Sequence, residues 1–162
     1  MALDFDALYK ECELIFKSNK ESAEQLQELC DLLKKKVSYY NWFGFYVAEK
    51  NRPELILGPF AGEATEHTRI PFGSGICGQA ANTAKTFLVN DVSKSTNYLA
   101  CSLKVKSEIV VPVMITTSGG GTEVAGEIDI DSHEKDAFSS VDEVFLNKLA
   151  LLVAQDVNAL RV

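Results

Sequence analysis

The chain reads as an α+β domain: a central antiparallel sheet with N- and C-terminal helices packed together on one face. Three observations predict this. Apolar residues recur at helical spacing near both ends, the middle alternates short aliphatic or aromatic runs with turn signals, and helices do not alternate with the strands. At 162 residues, 46% of them hydrophobic, the chain has the size of one compact domain, residues 1–162, with a sizeable core.

From Leu3 to Phe16 the apolar positions Phe5, Leu8, Cys12, Ile15 and Phe16 form one helical stripe. After the polar break SNKES, a second stripe runs through Leu26, Leu29, Cys30, Leu33 and Val37. Cys12 and Cys30 fall on these stripes and read as packing thiols. The period then changes. NWFGFYVAEK and ELILGPFAG, split by NRP, form a hairpin; HTRIPF and TFLVNDV supply short strands. EIVVPVMITT, the turn SGGGT and EVAGEIDIDS form a second hairpin. Pro112 cannot donate to a ladder, which places it at an edge or a bulge. Ser140 and Glu143 have capping-box spacing ahead of a long helix running through Phe145, Leu149, Leu152 and Val153 to Leu160. That helix is apolar around much of its circumference, so it either completes a homodimer or is covered within one chain.

The net charge of -7, with no basic stripe, argues against nucleic acid or an anionic membrane as partner. No basic region followed by an apolar run opens the chain, and no stretch has the length of a membrane span. A soluble, cytoplasmic protein is expected. The four cysteines, Cys12, Cys30, Cys77 and Cys101, are widely and irregularly spaced, with only the distant His67 and His133 beside them. That pattern argues against a zinc site, and neither a metal nor an organic cofactor is expected. In a reducing compartment such thiols are either buried filler or redox-active.

GSGICG, residues 73 to 78, matches a dinucleotide fingerprint, with Asp91 at nearly the right distance. The segment before it is polar and contains Pro71, however, and the stretch after it is too short for a crossover helix. Its glycines instead set Cys77 near a helix start, where the dipole favours a thiolate. Cys101 stands on a polar approach to a strand, followed by Lys104 and Lys106, whose charges favour a thiolate if they point towards it. In EIDID, alternation puts Glu127, Asp129 and Asp131 on one strand face, which is either an ordinary solvated face or a covered cluster in need of a cation. Glu108, on the neighbouring strand, can join it. In NWFGFY, Trp42, Gly44 and Tyr46 share one face and Phe43 and Phe45 the other. The second pair belongs to the core, and the polar tips of Trp42 and Tyr46 suit a pocket wall.

Taken together, NWFGFY, LILGPFAG, RIPFGSGICG, the DV of VNDV, LACS, SEIVVPV and EIDIDS resemble the free methionine-(R)-sulfoxide reductase family of stand-alone GAF-domain enzymes. The resemblance implies a GAF fold, commonly homodimeric, and a pocket for the free amino acid. It implies that Cys101 is the catalytic thiol and Cys77 a second active-site cysteine. Trp42 and Tyr46 match pocket aromatics; Glu108, Asp129 and Asp131 match carboxylates that hold substrate and assist proton transfer. Many members have a further cysteine where this chain has His67, which leaves Cys77 as the candidate to resolve a Cys101 sulfenic acid. Ser102 and Glu127 are further departures, the latter replacing a common aliphatic residue. The expected activity is thiol-dependent reduction of free L-methionine-(R)-sulfoxide, with a thioredoxin- or glutathione/glutaredoxin-type reductant. The competing expectation is a non-catalytic GAF module that senses a small ligand.

Overall fold

The computed structural model describes residues 2–99 and 102–156. Helix α1 (Phe5–Phe16) starts where the Asp4 carboxylate accepts from the backbone N–H groups of Asp6 and Ala7, each at 3.0 Å. Helix α2 (Ser22–Lys36) ends on Lys34, Lys35 and Lys36, which face the negative end of its dipole. Leu8 and Cys12 from the first, and Leu26, Leu29, Cys30 and Leu33 from the second, are buried. The two cysteines are packing residues, as their stripes predict; burial pushes the Cys12 thiol up to about 12 and raises that of Cys30 as well.

Strands β1 (Trp42–Ala48), β2 (Glu54–Ala61), β3 (Arg69–Pro71), β4 (Phe87–Val89), β5 (Ser107–Thr116) and β6 (Thr122–Ser132) form one sheet in the order β3-β2-β1-β6-β5-β4. Every neighbouring pair is antiparallel, and both predicted hairpins, β1-β2 and β5-β6, are present. The edge strands have three residues each, which limits the unpaired backbone open to another chain. β5 lies inside the sheet, yet β4 covers it only from Glu108 to Val110, so Pro112 sits beyond the end of its neighbour. The ladder with β6 also shifts register between Val113 and Met114, so Pro112 meets its sequence expectation only locally.

Alternation gives the sheet two different faces. Phe43 and Phe45, Ile109, Val111 and Val113, and Ile128 and Ile130 pack with α1, α2 and the last helix, α4 (Ser140–Val153), in the main core. On the opposite face Trp42, Tyr46 and Val110 pack with Ile76, Cys77, Ala80 and Ala81 of α3 (Gly75–Thr83). The terminal helices therefore share one face, as predicted, and the short glycine-led helix covers the other.

The capping box of α4 is Ser139 with Asp142, one residue before the predicted pair Ser140 and Glu143. Ser139 N–H donates to Asp142 Oδ2 at 2.9 Å, while the hydroxyls of Tyr39 and Tyr40 donate to Oδ1 at 2.7 and 2.8 Å. Those tyrosines select the register, because only a buried carboxylate at 142 serves all three donors. The helix ends at Val153, and most of the predicted extension to Leu160 falls on residues 157–162, outside the described residues.

Asp142→Ala strips the acceptor from two tyrosine hydroxyls and the cap amide. The expected loss is about 3 kcal/mol, read as a lower urea midpoint at unchanged m-value. Glu143→Ala, which leaves the capping pair intact, is expected to cost under about 1 kcal/mol.

Candidate active site

Register turns the alternation of three strands into one acidic surface. Across β1 and β6, Trp42 pairs with Asp131, Gly44 with Asp129 and Tyr46 with Glu127. Across β6 and β5, Asp131 pairs with Glu108, Asp129 with Val110 and Glu127 with Pro112. All four carboxyl side chains thus rise from the face that α3 covers. Glu127 is 0% exposed, Asp129 1%, Asp131 1% and Glu108 4%, which rules out an ordinary solvated sheet face. Among the described residues, no group outside the cluster they form with Glu108 and Cys77 donates a hydrogen bond to either oxygen of Glu127 or of Asp129. Among the described residues no ion pair reaches Glu127 or Asp129.

Such burial has electrostatic consequences. It pushes the carboxyl of Glu127 well above its ordinary value of 4.5, and the Asp129 charge adds to the rise. Asp129 is raised from 3.8 by burial, against which its neighbours Glu108 and Cys77 pull without reversing it. Carboxyls of this kind hold protons at a pH where exposed ones have lost them.

Cys77 stands in the first turn of α3 with its Sγ 3.7 Å from Glu108 Oε1. The helix start was expected to favour a thiolate. The thiol is instead raised well above 9.0, first by burial and then by Asp129, Glu127 and Glu108. Three nearby carboxyls and a covered site outweigh the partial charge of a short helix.

The aromatic wall forms as its sequence period predicts. Trp42 lies over Gly44, where an added Cβ would collide with the indole ring, and stacks on Phe60 with ring centres 5.4 Å apart. Trp42 Nε1 donates to the carbonyl of Glu63 at 3.0 Å, and Tyr46 Oη donates to that of His67 at 2.9 Å. The polar tips are therefore satisfied by backbone, and the rings face the acidic surface. One small cavity borders Trp42 and Asp131 together with Asn41, Ser102 and His133. A second borders Tyr46, His67, Cys77, Leu99 and Glu108.

Of the residues singled out in the sequence, Trp42, Tyr46, Cys77, Glu108, Asp129 and Asp131 come together here. Cys101 lies outside the described residues. Lys104, expected to assist that thiol, forms an exposed ion pair with Glu63 at 2.8 Å. Asn97 was missed. Its Oδ1 accepts from Gly75 N–H at 3.0 Å and its Nδ2 donates to the Gly73 carbonyl at 2.8 Å, tying the loop after β4 to the start of α3. Ser74, the N-cap, makes no side-chain cap bond, so Asn97 supplies from afar what local spacing fails to show. Glu127, which the alternation of EIDID put on this face and the family pattern left without a role, joins them.

A curled antiparallel sheet with helices on both faces and a covered polar face defines the class to which this chain belongs: the GAF domain model matches residues 20–156. Within that class the similarity is narrower. A free methionine-R-sulfoxide reductase of Saccharomyces cerevisiae is 46% identical over 114 residues, or 70% of this chain and 61% of that protein. The structure of the enzyme from Neisseria meningitidis in complex with its substrate is 34% identical, covers 98% of this chain and 93% of that one, and superposes with a TM-score of 0.84. A type II enzyme from Thermoplasma acidophilum is 42% identical, covers 87% and 95%, and gives a TM-score of 0.78. The chain belongs to the free methionine-R-sulfoxide reductase family of GAF-domain proteins.

A carboxyl raised in the folded state keeps its proton where the unfolded chain has released it, so stability falls as pH climbs above about 4.5. Glu127→Gln removes one such group. Between about pH 5 and pH 8 the variant should lose less stability than the parent, by up to about 1.4 kcal/mol per pH unit, in urea titrations at each pH. Parallel curves would show that Glu127 is ionised in both states.

Proposed function

We propose that this chain reduces free L-methionine-(R)-sulfoxide to methionine with electrons from thiols. The observation that carries the reading is the buried acidic ladder beside an aromatic wall and a cysteine, in a chain of this family. A free amino acid brings an ammonium group, which relieves the repulsion among Glu108, Asp129 and Asp131; a peptide-bound residue has no such charge to offer. Trp42 and Tyr46 enclose the apolar methyl sulfoxide end.

Cys101 supplies the nucleophile. Its thiolate attacks the sulfoxide sulfur while a protonated carboxyl gives its proton to the oxygen. Asp129, raised by burial, is the acid supported by the electrostatics, with Glu108 beside it. The substrate S–O bond breaks, oxygen passes to Cys101 as a sulfenic acid, and methionine leaves. The Cys77 thiol then condenses with the sulfenic acid, forming a disulfide and water. A dithiol of the thioredoxin or glutathione/glutaredoxin type reopens the disulfide. This cycle needs no metal or organic cofactor and suits a reducing compartment such as the cytoplasm. Helix α4 exposes Val141, Val144 and Leu151, an apolar strip suited to homodimer formation.

The test is methionine release from the separated diastereomers of free methionine sulfoxide, with dithiothreitol as reductant. Only the R form should turn over, and Cys101→Ser should reduce release to background. Asp131→Asn should raise KM by about 30-fold, the equivalent of about 2 kcal/mol for a charge-assisted bond. Asp129→Asn should mainly lower kcat, by about 100-fold. Failure of the reduced protein to turn over either form would leave a ligand-binding GAF module instead.

A further inference from the structure

The wide cysteine spacing hides a donor set that the fold assembles. Cys77 Sγ, a Glu108 oxygen and an Asp129 oxygen all lie within 4.8 Å of one another, and all three residues are buried. A tetrahedral zinc ion, with a Zn–S bond of about 2.3 Å and Zn–O bonds of about 2.0 Å, holds sulfur and oxygen ligands about 3.5 Å apart. Cys77 Sγ and Glu108 Oε1 stand 3.7 Å apart, so the pair needs little adjustment. A second observation is independent of this convergence: among the described residues nothing outside this cluster donates a hydrogen bond to either carboxylate oxygen of Glu127, which is fully buried on the same strand face as Asp129. Its carboxyl borders the Cys77 thiol.

The substrate's ammonium accounts for carboxylates but has no use for a sulfur among them. A thiolate with carboxylate oxygens is a donor set for a borderline-soft divalent ion and a poor one for magnesium or calcium, which take oxygen alone. We infer that Cys77, Glu108 and Asp129 form a binding site for Zn2+ or an ion like it, with Glu127 flanking the fourth position. Binding forms an S–Zn bond and releases the Cys77 proton to solvent; no redox change occurs. The ion occupies carboxylates assigned above to the substrate ammonium and engages the thiol assigned to resolution. It is therefore an inhibitor that competes with substrate. The competition rests on the reading in the preceding subsection, whereas the binding does not.

The experiment titrates the reduced, chelator-stripped protein with Co2+, a spectroscopic stand-in for Zn2+. A thiolate-to-cobalt charge-transfer absorption should grow, saturate at about one ion per chain and be bleached by an equivalent of Zn2+. Cys77→Ser should lose that absorption. Asp129→Asn should raise the Kd for Co2+ at least about tenfold. Circular dichroism checks that each variant is folded, and Glu108→Gln replaces Asp129→Asn if the latter is not. Absence of saturable absorption in the parent protein, or an unchanged absorption in Cys77→Ser, overturns the site. Free methionine-(R)-sulfoxide, added to the cobalt complex, should weaken Co2+ binding. If the cobalt site forms but ignores the sulfoxide, it stands, and the placement of the substrate ammonium fails.

Discussion

Four carboxyl groups, Glu108, Glu127, Asp129 and Asp131, sit on one face of a sheet beneath a helix and loops, where water cannot solvate their charges. Ionised carboxylates in such a place would cost several kcal/mol each, and together they would repel one another as well. Two responses relieve the cost: keeping protons, as the raised carboxyls of Glu127 and Asp129 do, and accepting a positive group from outside. The face is poor at stability and well suited to recognition. The opposite face, built from Phe43, Phe45, Val111, Ile128 and Ile130 against three helices, holds the domain together and lets the acidic face remain strained.

The same constraint explains the cover. Helix α3 begins at glycines and carries small residues, Ala80 and Ala81, so its backbone lies close to the sheet and sets Cys77 among the carboxyls. Asn97 fixes the start of that helix from a loop far along the chain. Trp42 folds across Gly44, which brings the largest apolar surface of β1 to the end of the acidic ladder without displacing it. A pocket with one anionic and one aromatic side discriminates by charge at one end of a ligand and by shape at the other.

Cys77 gains a different character from this setting than its helix position suggests. A thiol among buried carboxyls is held protonated. Such a thiol attacks slowly, and in the proposed cycle the sulfenic acid it meets has the good leaving group that a slow nucleophile needs. The same protonation protects it from adventitious oxidation, because thiolates react and thiols do not. At the proposed metal site a soft cation takes the place of the proton.

Most of the fold was legible in the sequence because it follows from period. The 3.6-residue stripes of α1 and α2 and the two-residue alternation of WFGFY and EIDID each point side chains to a definite side, whatever lies across from them. Both hairpins, the main core and the sharing of one face by the terminal helices came from that alone, whereas the grouping of Trp42, Tyr46, Asp129 and Asp131 around one pocket came only with the family resemblance. The alternation of EIDID set the carboxyls on one face but left open whether water or protein covered it. Coverage comes from α3, about fifty residues away in sequence. The cap of α4 moved to Ser139 because Tyr39 and Tyr40, a hundred residues earlier, chose Asp142 as their acceptor. The thiol of Cys77 rose because the fold buried it and strands β5 and β6 brought carboxyls to it. Local sequence fixes direction, since backbone geometry repeats from residue to residue. Only the tertiary structure decides proximity, and burial, charge coupling and donor sets depend on proximity.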